Sequence, residues 1–115
     1  MQRIPALLAT AALVLLPATA QAAGDPVAGK EKSQTCASCH GEKGNTGNTM
    51  YPKLGGQHPS YLYRTLKQYK SGARENAVMA GMVSNLSEQD MRDLAAYYGS
   101  VGGELYTLPL NNAQR

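Results

Sequence analysis

The chain has 115 residues, 43% of them hydrophobic, with 11 Lys and Arg against 8 Asp and Glu for a formal charge of +3. All seven aromatic residues are Tyr; there is no Trp and no Phe. A chain this short excludes a multidomain enzyme, and a charge excess this small, scattered along the sequence, gives no argument for nucleic acid or an anionic membrane surface.

Residues 1–22 read as a secretory signal. Arg3 supplies the positive start, Ala6 to Leu16 is an apolar run interrupted by Thr10, and Pro17 ends it. Ala20-Gln21-Ala22 then offers a small-x-small cleavage pattern. The run of 11 residues is well short of the roughly 20 needed to span a bilayer, which favours a cleaved leader over a retained anchor. The expected product is one domain, residues 23–115, exported to the bacterial periplasm, with no membrane span after cleavage.

Past residue 22 there is no Ile, and the large aliphatic residues are twelve Val and Leu plus four Met. So small a domain leans on a disulfide, a metal or a partner. Two cysteines two residues apart are a poor staple. Something other than side chains is expected to fill the middle.

Three helices can be placed. The first opens at Asp25-Pro26, an N-cap followed by proline at the first helical position, and runs to about Cys36. A polar, glycine-punctuated loop of close to twenty residues follows, from Gly41 through Tyr51-Pro52-Lys53-Leu54 to Gln57. A loop that long in a compact domain implies that it wraps something. The second helix starts near Pro59 and stops before Gly72, with Leu62, Leu66 and Tyr69 on one face. Residues 77–82 read as an unsettled stretch. The third helix is capped by Ser87, carries Glu88 and Asp90 in its first turn, and presents a Met91, Leu94, Ala95, Tyr98 stripe; Gly99 is expected to close it. No segment sustains strand alternation. The fold class is all-α, with three or more helices and long loops.

The chemistry lies in Cys36-Ala37-Ser38-Cys39-His40. C-x-x-C-H is the attachment signature of a c-type haem. Two thiols add across the porphyrin vinyl groups as thioethers, and the adjacent His supplies the proximal iron ligand. A thioredoxin-like dithiol would need a βαβ context that is missing. A zinc site would need another strong ligand, and His58 is the only further His. A plain Cys36–Cys39 disulfide is the remaining rival. For the opposite axial position the residues alone leave Met79, Met82, Met50, Met91, His58 or an open site.

The C-A-S-C-H run, Tyr51-Pro52-Lys53-Leu54-Gly55-Gly56-Gln57, the Tyr61-to-Gln68 helix and the Met-x-x-Met…Leu-Ser-Glu-Gln-Asp…Leu-Ala-Ala-Tyr-Tyr ending resemble a class I cytochrome c. The resemblance covers residues 24–100 and is nearest a single lobe of the dihaem cytochrome c4 family or a monohaem c553-type relative. It implies one covalent haem c on Cys36 and Cys39, with His40 as proximal ligand. It also implies Met79 as distal ligand, seven residues before Leu86, with Met82 its rival. The Pro52 carbonyl would orient His40. Gln57, Tyr61 and Arg74 would be partners for the haem propionates. Gly29 against Tyr97 or Tyr98 would be the contact of the first and last helices. A single haem motif departs from the dihaem pattern.

The function implied is a one-electron carrier, its low-spin His/Met haem cycling Fe(III)/Fe(II) between transient redox protein donors and acceptors. No catalytic residue is called for. Two alternatives stand beside it: the haem c subunit of a larger periplasmic dehydrogenase, such as a sulfur-compound oxidising enzyme, and a ligand-binding or sensing haem protein.

Overall fold

The computed structural model describes residues 23–103 and 105; the leader expected at 1–22 and most of the tail lie outside them. Five helices and no strand are found among the described residues: α1 (Pro26–Lys32), α2 (Gln34–His40), α3 (Pro59–Ser71), α4 (Ala77–Val83) and α5 (Glu88–Ser100).

The first expected helix is two. Asp25 caps α1, its carboxylate accepting from the N–H groups of Val27 (2.8 Å) and Ala28 (3.4 Å). The break falls at buried Ser33, whose hydroxyl donates to the Lys30 carbonyl (2.7 Å) and so competes with regular helix bonding. The helical path then resumes as α2 and carries on past Cys36 to His40. Gly41, in a positive-φ conformation (84°), stops it. A polar Ser-Cys-His run gives no apolar periodicity to mark that extension.

α3 fills its expected span. Leu62 is buried and Leu66 packs against the core, but Tyr69 lies outside that cluster with the Arg74 guanidinium 5.2 Å over its ring. α5 opens with a full capping box: the Ser87 hydroxyl accepts from the Asp90 N–H (3.0 Å) and the Asp90 carboxylate accepts from the Ser87 N–H (2.8 Å). Gly99 does not close it. α5 runs on to Ser100, because the glycine serves proximity: a Cβ there would lie 2.5 Å from Pro59 Cγ. That contact seats the start of α3 against the end of α5. On the outer face of the same pair, Glu88 accepts from the Tyr63 hydroxyl and from Lys67 (3.2 Å) and Arg92 (3.3 Å).

The α1–α5 crossing is the tightest joint. A Cβ on Gly29 would sit 2.0 Å from the Asp93 carbonyl oxygen and 2.8 Å from Tyr97 Cβ. Of the two tyrosines named from sequence, Tyr97 makes this contact. Gly24, not singled out from sequence, approaches the Arg92 carbonyl in the same way (2.1 Å). Asp93 is buried beneath the joint and accepts from the Asp25 N–H (2.8 Å), Gln89 Nε2 (2.8 Å) and Lys32 Nζ (2.6 Å). Burial pushes its carboxyl up, yet those donors outweigh burial and hold it below the ordinary carboxylate range. Asp90, bonded to Lys32 at 2.9 Å and to the Ser87 cap, is held down to about 2.

The stretch read as unsettled is helix α4. Asn76 caps it by accepting from the Met79 N–H (2.9 Å). Seven residues that include Gly81 are too few to show a stripe. Only Val83 of α4 is buried, and the helix packs on α3.

Candidate haem site

Cys36, Cys39 and His40 stand at i, i+3 and i+4 on α2, which gathers them on one face. His40 is buried at the helix end, and both cysteines are half-buried. The thiols are free rather than joined to each other. Burial raises the Cys36 thiol, whose side chain packs against the Leu62–Leu94–Tyr98 cluster. Among the described residues no group of three or more His, Cys, Asp and Glu is arranged to hold a metal ion.

The His40 ring is oriented from the loop. Its Nδ1 lies 2.8 Å from the Pro52 carbonyl oxygen. A carbonyl only accepts, so Nδ1 is the donor, and in the neutral ring Nε2 keeps its lone pair. Tyr51 adds an edge contact, its ring centroid 6.2 Å away. Pro52 is fixed in turn by the loop around it. The Gly44 carbonyl accepts from Leu54 N–H (2.7 Å), the Glu42 carbonyl accepts from the Tyr97 hydroxyl (3.0 Å), and Gly56 N–H donates to the Tyr98 carbonyl (2.9 Å). The long loop is thus strapped to itself and to α5.

The other sequence-predicted residues distribute unevenly. Tyr61 and Arg74 come together: the Arg74 hydrogen bond, then its charge, lowers the phenol. Gln57 is half-buried with its Oε1 accepting from the His58 N–H (2.8 Å). Met79 is half-buried in the first turn of α4, whereas Met82 is 49% exposed. Met50 is 81% exposed on the loop, and Met91 is buried in α5. His58 is the residue before α3, its side chain making no capping bond. Two groups beside Cys36 escaped sequence reading, Ser33 and the Tyr98 hydroxyl. Tyr98 showed as one member of an apolar stripe and as an alternative contact for Gly29, not as a hydrogen-bonding group.

Two free thiols one turn apart, followed by a buried His whose free nitrogen is set by its partner, fit a covalent haem in donor type and spacing. Cys36 and Cys39 would form the thioethers and His40 would supply the proximal nitrogen. Five helices wrapped with a strapped loop around such a turn define an all-α haem protein of the class I cytochrome fold.

The cytochrome c family model matches residues 26–101, and the chain belongs to the cytochrome c family. Cytochrome c4 of Pseudomonas aeruginosa is 44% identical over 81 residues, spanning 70% of this chain and 40% of that protein. Cytochrome c-554(548) of Halomonas halodenitrificans is 43% identical over 81 residues, spanning 68% of this chain and 98% of that protein. The crystal structure of reduced recombinant cytochrome c4 from Pseudomonas stutzeri matches with a TM-score of 0.69 at 39% identity, over 72% of this chain and 48% of that one. The chain spans less than half the length of these cytochrome c4 relatives. It binds haem c covalently, and its cytochrome c4-like relatives are electron-transfer proteins. No helix among the described residues is long and apolar enough to cross a membrane.

Proposed function

We propose that the chain is a periplasmic one-electron carrier whose low-spin haem c is held by Cys36 and Cys39 and ligated by His40 and Met79. The observation that carries this reading is the His40–Pro52 hydrogen bond, which fixes the tautomer and aims one basic nitrogen away from the loop. Bound haem supplies an Fe(III)/Fe(II) couple, and a thioether ligand raises its potential relative to two His ligands. The chain's own residues do the rest. α2 presents the two thiols together, the loop straps keep His40 from turning, and burial keeps water from the ring.

Met79 is favoured over Met82 by its greater burial and by its place in the capped first turn of α4. A half-buried thioether loses less freedom on becoming a ligand than an exposed one. Electron transfer calls for no catalytic acid, base or nucleophile. Partners would be redox proteins met through small, short-lived interfaces, and the apolar leader at 1–22 is the reason for an extracytoplasmic address.

The far-red charge-transfer band of ferric, methionine-ligated haem tests the ligand set. It should be present in the wild type and in Met82→Ala, and lost in Met79→Ala. Loss in Met82→Ala with retention in Met79→Ala reverses the assignment, and absence from the wild type removes methionine altogether. Purification from the native periplasm tests the carrier role: a free chain supports it, and fixed stoichiometry with a larger redox enzyme makes it a subunit.

A further inference from the structure

Tyr98 is buried (3% exposed), and its hydroxyl oxygen is one of two buried side-chain polar atoms among the described residues with no hydrogen-bond partner. A phenol in that position costs free energy unless something accepts its proton. Its ring is clamped, 5.0 Å centroid to centroid from Tyr97 and close over Gly44, so the hydroxyl cannot swing out to water. Burial pushes the phenol well above its ordinary range, so it stays protonated and remains a donor. The polar groups that act on it are the Ser33 hydroxyl and the Cys36 sulfur.

Proton arithmetic makes both of them acceptors. The Ser33 proton is committed to the Lys30 carbonyl, leaving an oxygen that can accept. Cys36, once bonded to carbon as a thioether, has no proton left and can only accept. Tyr98 is then the one of the three with a proton still to give, and packing separates its two possible acceptors. Cys36 also packs against the cluster that contains Tyr98, whereas Ser33 is turned back into its own helix.

We propose that Tyr98 is a positioning residue for the haem: its hydroxyl donates a hydrogen bond to the Cys36 sulfur and pins that thioether arm to α5. This rests on attachment at Cys36. The bond draws electron density from the sulfur and so favours the reduced state. It also ties the element that carries the whole attachment motif to the best-packed helix of the fold, through an atom chemically continuous with the macrocycle.

The test uses the purified haem-bearing protein, wild type against Tyr98→Phe, with Ser33→Ala as a second variant. Mass spectrometry of the denatured proteins first reads covalent haem; a wild type that loses its haem on denaturation refutes attachment, not the hydrogen bond. With haem retained, Tyr98→Phe should shift a C–S stretching band in the resonance Raman spectrum and lower the reduction potential. Ser33→Ala should leave both near wild type. If Tyr98→Phe leaves the band and the potential unmoved, the proposal is overturned. It is overturned equally if Ser33→Ala reproduces the Tyr98→Phe shifts, which assigns the proton to Ser33. A Tyr98→Phe protein that melts higher with an unmoved band marks the hydroxyl as an unpaired burden and also refutes the proposal.

Discussion

The α1–α5 joint and α4 are built on opposite terms. At the joint two backbones meet over glycine, a buried carboxylate receives three donors, and Met91, Leu94, Ala95, Tyr97 and Tyr98 are buried on α5. α4 has no charged side chain, yet only Val83 is buried, with Val78 62% and Met82 49% exposed. One region is completed by its own side chains. The other presents apolar surface that protein does not cover, next to a sequence whose aliphatic content is low for its length. Protein packing thus completes the α1–α5 joint, whereas α4 leaves most of its apolar side chains exposed.

The largest predicted effect tests that division directly. In the Cys36→Ala/Cys39→Ala double variant, covalent haem should be lost, as read by mass spectrometry after denaturation. Without it the chain should show no cooperative thermal transition by circular dichroism, because the α1–α5 joint alone is too small a core. A cooperative transition in the haem-free chain would mean that the protein-packed side is self-sufficient. The comparison between the two regions would then fail.

Next comes the joint itself. Gly29→Ala places a methyl group 2.0 Å from the Asp93 carbonyl oxygen, and backbone on both sides leaves nothing flexible to yield. A loss of about 3 kcal/mol is expected, in line with overpacking at a closed site. Denaturant unfolding of the haem-bearing protein measures it. A change under about 1 kcal/mol would show that the helices can part cheaply.

How much of this was readable in the sequence follows from where each signal resides. The C-x-x-C-H run, the Asp25 and Ser87 caps and the α5 stripe are local patterns, and each names its element. Gly29 was expected to meet Tyr97 or Tyr98 at the crossing, which gave the two helices but not the nearest partner atom, the Asp93 carbonyl oxygen. Gly99 misled for the same reason: in sequence a closing glycine and a close-packing glycine look alike, and only the position of Pro59 separates them. α4 was too short to display a period, and the Ser33 break depends on a single side-chain-to-backbone bond. The Tyr98 hydroxyl was hidden because a stripe reports that a ring is buried, not what its oxygen meets.

Asp93 sharpens the comparison through pH. Its folded-state carboxyl, like that of Asp90 at about 2 against an ordinary 3.8, is held low. A depressed carboxylate stabilises the fold above its unfolded value, and that contribution is lost as pH falls through the folded value. For Asp90 the window runs from about pH 4 down to about pH 2, and for Asp93 it opens downward from about pH 4. Asp93→Asn should cost about 2 kcal/mol near neutrality, since it weakens charge-assisted bonds to Lys32 and the Asp25 N–H. The melting-temperature gap from wild type should narrow as pH falls below about 4. A gap that stays constant with pH would mean that Asp93 acts by shape rather than charge.

The smallest effect compares like with like. Ser87→Ala and Asn76→Ala each delete a side chain that caps a helix, at α5 and α4 respectively. An N-cap is worth about 1 kcal/mol when the helix it starts is coupled to the rest of the fold. Ser87→Ala should show that full amount in global unfolding, because α5 is packed against α1 and α3. Asn76→Ala should fall below it while raising amide exchange in α4, since a helix with one buried residue can open locally without unfolding the molecule. Equal global costs for the two caps would place α4 in the same cooperative unit as the joint. α4 would then be as firmly coupled to the rest of the fold as α5 itself.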